Sequence, residues 1–181
     1  MKLNSKIRLF LVIILLAVSG SCKKVEKFPD TPRIEFMSFT RIFNSDLEIY
    51  DRGVLHFSFE DGDGDIGLNS NDTLPPFNAG SPYYYNLIIT YYEMQNGELV
   101  EVPILWFNPQ TEEYDTLSLS SRIPNLTPDG VNKAISGEIF DTLFIYNFNS
   151  DFDTVKFDAH IIDRALNESN TISTPLIIRQ L

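Results

Sequence analysis

Short stretches of alternating apolar and polar residues recur from about residue 33 onward, and this two-residue period predicts β-strands. Segment 53–60 is the clearest example: Leu55, Phe57 and Phe59 would face one way and the residues between them the other. Segment 154–162 alternates in the same manner. The alternation in segment 33–40 is less clean, because its aromatic residues fall on both faces.

Further strand-like runs are separated by turn residues, and no segment after residue 22 has a convincing amphipathic-helix pattern. Residues 83–94 are rich in aromatic and β-branched side chains. The Asn96-Gly97 pair after them predicts a hairpin turn, since both residues tolerate positive φ. Other runs cover residues 114–119, 134–146 and 171–179. About seven or eight strands predict an all-β, antiparallel immunoglobulin-like (Greek-key) sandwich, with a closed barrel as the alternative.

The first 21 residues have the pattern of a cleaved signal peptide. Basic residues near the start precede the apolar run 9–18, which as a helix would be roughly 15 Å long and too short to span a bilayer. The alternatives are an ordinary signal peptide without lipidation and a buried N-terminal helix. The run has no polar positions that could face water, which disfavours the helix.

Residues 19–22, SGSC, resemble the lipobox of bacterial lipoproteins, although Ser19 stands where an aliphatic residue is usual. Cys22 is the only cysteine, so an intramolecular disulfide is impossible, and lipidation explains the residue better than a free thiol does. We therefore predict a lipid anchor on Cys22, a tether over residues 22–32 and a sandwich domain over residues 33–181. The predicted location is the bacterial cell envelope, in the outer membrane, on its periplasmic face or at the cell surface.

The mature chain would be strongly acidic. Removing residues 1–21 takes away three basic residues and no acidic ones, which leaves 11 Lys and Arg against 25 Asp and Glu and a net charge of −14. Such a charge disfavours nucleic acid and acidic lipid surfaces as partners, because both are polyanions, and it favours cations.

The stretch 60–67, EDGDGDIG, is the main candidate for chemistry. Asp61, Asp63 and Asp65 recur at every second residue and would lie about 6.6 Å apart in a straight strand, but the intervening glycines permit positive φ and let the segment curl. Converging carboxylates suit Ca²⁺, which takes about six to eight oxygen ligands. The alternative is a solvated turn, since Asp and Gly are common turn residues.

An EF-hand is not indicated, because Ile66 occupies the position that requires glycine and a strand precedes the loop. A second segment, 163–170 (DRALNESN), resembles the D-x-A-x-N-x-S segment of bacterial immunoglobulin-like and cadherin-like domains. In a Greek-key sandwich it would emerge at the same end, where Asp163 and Asn167 could complete the metal site. Two alternatives stay open: both residues only hydrogen-bond their own turn, or Arg164 pairs with the acidic loop in place of a metal.

Several stretches together resemble a group of uncharacterised Bacteroidetes-type lipoproteins, among them FSFEDGDGDIGL, RIPNLTPDGVNKAISGEI and IIDRALNESNTISTPLI. The resemblance covers nearly the whole chain, and DGDGDIG is its most specific part. It implies a lipid-anchored immunoglobulin-like β-sandwich and supplies no established activity.

The sequence offers little for catalysis. The two histidines, His56 and His160, fall mid-strand, and neither a G-x-S-x-G nucleophile motif nor an H-E-x-x-H zinc motif occurs. We therefore predict a non-catalytic envelope protein that binds Ca²⁺ through the residues named above. The alternative is a glycan-binding module that stacks sugars on Tyr and Trp side chains, namely Tyr83, Tyr84, Tyr85, Tyr91, Tyr92 and Trp106.

Overall fold

The fold is described by a computed structural model, which covers residues 28–127 and 133–179. The predicted signal peptide and Cys22 lie outside these residues. The described residues form ten strands: β1 (Arg33–Asn44), β2 (Ile49–Asp61), β3 (Leu87–Gln95), β4 (Glu98–Glu101), β5 (Ile104–Asn108), β6 (Glu113–Leu117), β7 (Ile135–Phe144), β8 (Thr154–Ile161), β9 (Ile172–Ser173) and β10 (Ile177–Ile178). Within the described ranges no helix is long and apolar enough to cross a membrane.

The strands form an antiparallel β-sandwich, as predicted. One sheet has the order β1-β2-β7. The other has the order β10-β8-β3-β4, with β9 also paired to β8, and β5 and β6 form a separate hairpin. The chain passes from the first sheet to the second between β2 and β3, returns to the first sheet at β7 and passes to the second again at β8. As a result β2 pairs with β7 and β3 with β8 across long connections. The described part of the chain contains no closed barrel.

The core lies between the two sheets and is made by the alternating positions. Leu55, Phe57 and Phe59 of β2 are buried, as are Val155, Phe157, Ala159 and Ile161 of β8. Each large apolar side chain that is removed from water in this way contributes roughly 1.5–3 kcal/mol. The pattern read from segments 53–60 and 154–162 is therefore confirmed.

Strand β1 shows why its sequence pattern is mixed. The register of β1 against β2 shifts between Phe36 and Ser38, which marks a β-bulge. After the bulge Phe39, not Ser38, turns inward, and its ring stacks on Phe157 with 5.6 Å between centroids. An alternation continued from Ile34 and Phe36 would turn Ser38 inward, and it does not hold because one extra residue exchanges the two faces of the strand.

The hairpin after residues 83–94 forms at the predicted place. Asn96 and Gly97 have φ values of 54° and 90° and join β3 to β4. The strand itself is shorter than expected and begins at Leu87, because residues 81–84 form turns that include a hydrogen bond from the Tyr84 N–H to the Ser81 carbonyl (3.1 Å).

The direction of β7 defines the two ends of the sandwich. Ile135 at its start pairs with Asp61, and Phe144 at its end pairs with Arg52. The acidic loop, residues 61–65, therefore lies at one end, and residue 144 and the chain that follows it begin at the other. We call these the loop end and the far end.

Candidate metal centre

The acidic loop begins on the last residue of β2 and curls back on itself. Gly64 has a φ of 71°, and a Cβ at this position would collide with the backbone carbonyl of Lys133. The Gly64 carbonyl accepts a hydrogen bond from the Thr127 hydroxyl at 2.5 Å. The loop is therefore held in one conformation that glycine alone can adopt without strain.

The two carboxylate oxygens of Asp61 differ in their hydrogen bonding. The side chain has no exposed surface. Its Oδ2 accepts hydrogen bonds from the backbone N–H groups of Asp65 (2.9 Å) and Ile66 (3.2 Å), which fix the curl of the loop. Its Oδ1 is buried and has no hydrogen-bond partner within the described residues.

Asp63 and Asp65 bring two more buried oxygens to the same point. The Oδ1 atoms of both residues lack a partner in the described part of the chain, although their side chains are only half-buried. Ligand atoms from Asp61, Asp63 and Asp65 all lie within 4.8 Å of one another. The predicted curl thus occurs, since a straight strand would hold these side chains about 6.6 Å apart.

Burial and mutual repulsion dominate the electrostatics of this cluster. Burial, reinforced by the charge of Asp63, raises the pKa of Asp61 to about 7. Burial and the charges of Asp163 and Asp63 raise the pKa of Asp65 to about 6. Two carboxylates within 4.8 Å repel by roughly 3 kcal/mol at an effective dielectric of about 20. A cation would remove this repulsion.

Asp163 lies next to the cluster, but its hydrogen bonds point to its own turn. Oδ1 accepts from the Asn167 N–H (2.7 Å) and Oδ2 from the Asn167 side-chain amide (2.8 Å). Asp163 is buried, and burial raises its pKa above the ordinary range. The fold therefore brings Asp163 near the three aspartates, and in this arrangement Asp163 and Asn167 shape the turn that contacts the loop.

That turn is joined to the acidic loop through Asp65 and not through the Arg164 guanidinium. The Ala165 N–H donates to Asp65 Oδ2 (3.0 Å), and the Arg164 N–H donates to the Asp65 carbonyl (3.4 Å). The guanidinium instead forms an ion pair with Asp72 (2.5 Å), which lowers the pKa of that carboxyl. Among the residues that the structure describes, no basic side chain is thus bonded to the carboxylates of Asp61, Asp63 and Asp65.

The N-terminal segment also meets the loop. The Gly62 N–H donates to the Pro29 carbonyl (2.8 Å), and a Cβ on Gly62 would collide with backbone atoms of Phe28 and Pro29. The chain therefore enters the domain beside the acidic loop, and this part of the predicted tether is packed against the sandwich.

No protein-family model, curated protein or solved structure matches the chain. The donor set must therefore indicate the ligand. Three carboxylate oxygens are hard donors, and neither His nor Cys belongs to the cluster. Such a set suits Ca²⁺, Mg²⁺ or Mn²⁺ better than the softer metals that prefer nitrogen and sulfur.

A second polar group, which no local sequence pattern indicates, lies on the outer face of β1, β2 and β7. His56 Nε2 lies 2.9 Å from Glu138 Oε2, and its Nδ1 lies 3.4 Å from the Ser38 hydroxyl. The imidazole stacks on Phe140 with 3.9 Å between centroids. The serine contact is longer than the 2.6–3.2 Å typical of an activated nucleophile, and Ser38 is exposed on an open sheet face. The group links three strands across the surface.

The aromatic residues considered for glycan stacking do not form one exposed row. Tyr91 is buried, at 4% exposure, and Trp106 is 59% exposed. Tyr83, Tyr84, Tyr85 and Tyr92 are half-buried. The Tyr84 ring packs edge-on against Tyr85 and lies 5.0 Å from the Arg122 guanidinium carbon.

Proposed function

We propose that this chain is a non-catalytic, lipid-anchored β-sandwich protein of the bacterial cell envelope, and that it binds one Ca²⁺ at Asp61, Asp63 and Asp65. Two observations carry the metal proposal. Carboxylate oxygens of all three residues lie within 4.8 Å of one another, and each residue has a buried Oδ1 atom without a hydrogen-bond partner among the described residues.

The energetics of burial support a cation. A buried ionised carboxylate is stable only when it is paired, hydrogen-bonded or bound to a metal. Asp61 satisfies one oxygen with backbone donors, and its other oxygen is buried without a partner among the described residues, in a cluster with two more carboxylates. Without a cation the cluster must hold protons or tolerate repulsion, and both penalties disappear when a divalent ion binds.

The spacing suits Ca²⁺. Two oxygens on opposite sides of a Ca²⁺ ion lie about 4.6–5.2 Å apart, twice the usual bond length. The observed limit of 4.8 Å is compatible with this value. Mg²⁺ needs shorter bonds in a regular octahedron and keeps several of its waters, so we expect it to bind more weakly.

The proposed anchor would place the site close to the membrane. Phe28 is the sixth residue after Cys22, and the chain meets the acidic loop at Pro29. A fully extended segment of this length reaches about 20 Å. A lipid on Cys22 would thus hold the loop end near the bilayer and direct the far end away from it.

The placement of the aromatic residues supports a structural role over glycan binding. A sugar platform needs several exposed rings in a row, whereas Tyr91 belongs to the core and Tyr84 packs under Arg122. The binding role of the protein would therefore depend on other surfaces.

Calorimetric titration of Ca²⁺ into the metal-free protein, compared with its Asp63→Asn variant, tests the metal proposal. We expect one ion per chain for the wild type and an affinity at least about tenfold lower for the variant, because one ligand charge is lost. Asp63 is the residue of choice, because its side chain accepts none of the backbone hydrogen bonds that hold the loop.

The matched control is Asp46→Asn, which removes one exposed carboxylate from the turn between β1 and β2. It should bind Ca²⁺ like the wild type. Equal heats in wild type and Asp63→Asn, or no heat in either, would contradict the assignment of the loop as a calcium site.

A further inference from the structure

A cavity of about 430 Å³ opens beside the hairpin of β5 and β6, well away from the metal centre. Its size is within the range of small-molecule sites, about 300–1,000 Å³. Six aromatic residues line it: Trp106, Phe107, Tyr114, Phe144, Tyr146 and Phe148. Several of these rings are more than half exposed, with Phe148 at 72%. Such a concentration of exposed rings is typical of a binding surface.

The rings come from two segments that are distant in sequence. Phe107 and Tyr114 are cross-strand neighbours on β5 and β6 and pack edge to face, 5.4 Å apart. Tyr146 and Phe148 follow β7 at the far end and form a similar pair at 4.6 Å. The Asn149 side-chain amide donates to the Leu105 carbonyl (2.8 Å) and joins the two segments. The cavity is thus part of the folded structure.

The surroundings of the cavity are acidic. Residues 104–117 and 144–153 contain five Asp and Glu and no Lys or Arg. Asp115 lies directly opposite Trp106 in the hairpin, where cross-strand side chains share a face with Cβ atoms about 5 Å apart. Two basic side chains lie near the cavity. Arg52 is the cross-strand neighbour of Phe144 and forms an ion pair with Asp51 at 3.3 Å. Arg179 is buried behind Tyr146 and donates to backbone carbonyls of residues 147, 150 and 152.

The aromatic lining and the acidic surroundings of the cavity favour one class of ligand. The face of an aromatic ring is electrically negative, and Trp and Tyr rings attract organic ammonium groups, as in aromatic cages. None of the described residues that line the cavity carries a charge. The Asn149 amide is already engaged, so few polar groups are left for sugar hydroxyls. We infer that the cavity binds a small organic cation with an apolar body, its ammonium group held by the rings and attracted by the charge of Asp115, which lies beside Trp106 and accepts a hydrogen bond from the Asn108 side-chain amide (2.8 Å).

Trp106 provides the readout, because it is the only tryptophan in the chain. The full-length protein is titrated with 2-phenylethylammonium, with 2-phenylethanol as a neutral analogue and with 3-phenylpropionate as an anion. We expect Trp106 fluorescence to change saturably with the ammonium ion, at an affinity at least about tenfold above that for the alcohol, and no response to the anion. Added salt should weaken binding, because the acidic groups are exposed.

Two variants separate the contributions of ring and charge. Phe148→Ala removes a highly exposed ring, so folding should be preserved while ammonium binding weakens severalfold. The double variant Glu113→Gln/Asp115→Asn should weaken ammonium binding and leave the weak binding of the alcohol unchanged. The control, Glu35→Gln/Glu168→Gln, removes the same charge from exposed positions at the loop end and should behave like the wild type.

Several results would overturn the inference. These are equal affinity for the ammonium ion and the alcohol, no response to any of the three probes, unchanged binding in both variants, or a fluorescence response to cellohexaose without one to the ammonium ion. None of these readouts depends on Ca²⁺, so the result is independent of the metal proposal.

Discussion

Asp61 combines two tasks in one side chain. Oδ2 holds the loop closed by accepting from two backbone N–H groups, and Oδ1 is buried without a partner among the described residues. A neutral amide in its place could retain only part of this, since its nitrogen is a donor and the backbone groups need an acceptor. Replacing Asp61 would therefore change both the proposed metal ligand and the conformation of the loop. Replacing Asp63 changes the ligand alone.

The loop also depends on Gly64, and Gly64→Ala should destabilise the protein. The left-handed backbone costs a non-glycine residue about 1–2 kcal/mol, and here the new Cβ would additionally strike the Lys133 carbonyl. We expect a loss in the free energy of unfolding above about 2 kcal/mol in urea denaturation.

Gly97→Ala is the matched control. Gly97 also has a positive φ, 90°, but a Cβ there meets no atom within 4 Å. The loss in the free energy of unfolding for Gly97→Ala should therefore come only from the unfavourable backbone conformation, about 1 kcal/mol. If the two variants lose equal stability, the close packing of Gly64 against residue 133 does not matter energetically.

At the scale of elements, β3 is tied to the chain after β7 through a buried carboxylate. Glu93 is 1% exposed. It accepts hydrogen bonds from the Tyr91 hydroxyl (3.0 Å), the Asn147 amide (3.0 Å) and the Ser150 hydroxyl (2.6 Å). Residues 147–150 carry part of the aromatic cavity, so this network positions the cavity wall.

Glu93→Leu should therefore be strongly destabilising. The variant leaves these three donors without their acceptor, and also the Gln95 side-chain amide, which donates to Glu93 at 3.3 Å. Each unsatisfied buried group costs about 1–3 kcal/mol. We expect urea denaturation to show a loss of more than about 3 kcal/mol. Glu98→Leu, at an exposed position of neighbouring β4, should change stability by less than about 0.5 kcal/mol. Similar losses for both would mean that the network contributes nothing beyond strand packing.

The elements differ in how far they can be predicted from sequence. Strands β2 and β8 follow a strict two-residue period because each has one face in the core, and Asn96-Gly97 specifies its turn locally. The bulge in β1 is not predictable, because it depends on how Phe39 packs against Phe157 on another strand. The prediction that a strand begins at residue 83 is also wrong, because β3 begins at Leu87. Aromatic residues favour strands, but those before Leu87 lie in turns and connecting chain.

The same distinction applies to the candidate sites. The acidic cluster could be predicted, because its spacing and glycines are local in sequence. The position of Asp163 close to Asp65 was predictable from Greek-key topology, which brings the two loops to the same end of the sandwich. The pairing of Arg164 with Asp72 and the aromatic cavity arise from residues far apart in the chain, and no local pattern marks them. Sequence alone indicates where charge can gather and does not indicate which distant side chains meet.

For the molecule as a whole, the acidic cluster should reverse the usual effect of pH on stability. In the metal-free protein the pKa of Asp61 is raised to about 7 and that of Asp65 to about 6, by burial first and by neighbouring carboxylates second. Unfolded aspartates titrate near 3.9. Between about pH 4 and pH 7 the folded state therefore binds more protons than the unfolded state, so the free energy of unfolding should fall as pH rises.

Melting temperatures measured from pH 4.5 to pH 7.5 in a chelator should show this decline, and saturating Ca²⁺ should remove it, because the bound ion stabilises the ionised form. Asp72 has the opposite effect on the pH dependence of stability. Arg164 lowers the pKa of Asp72, so the stability that this ion pair contributes is lost only on further acidification. Asp63→Asn should flatten the chelator curve by removing a neighbouring charge. A chelator curve that rises with pH, or one that Ca²⁺ leaves unchanged, would show that the three carboxylates are not coupled in the folded protein.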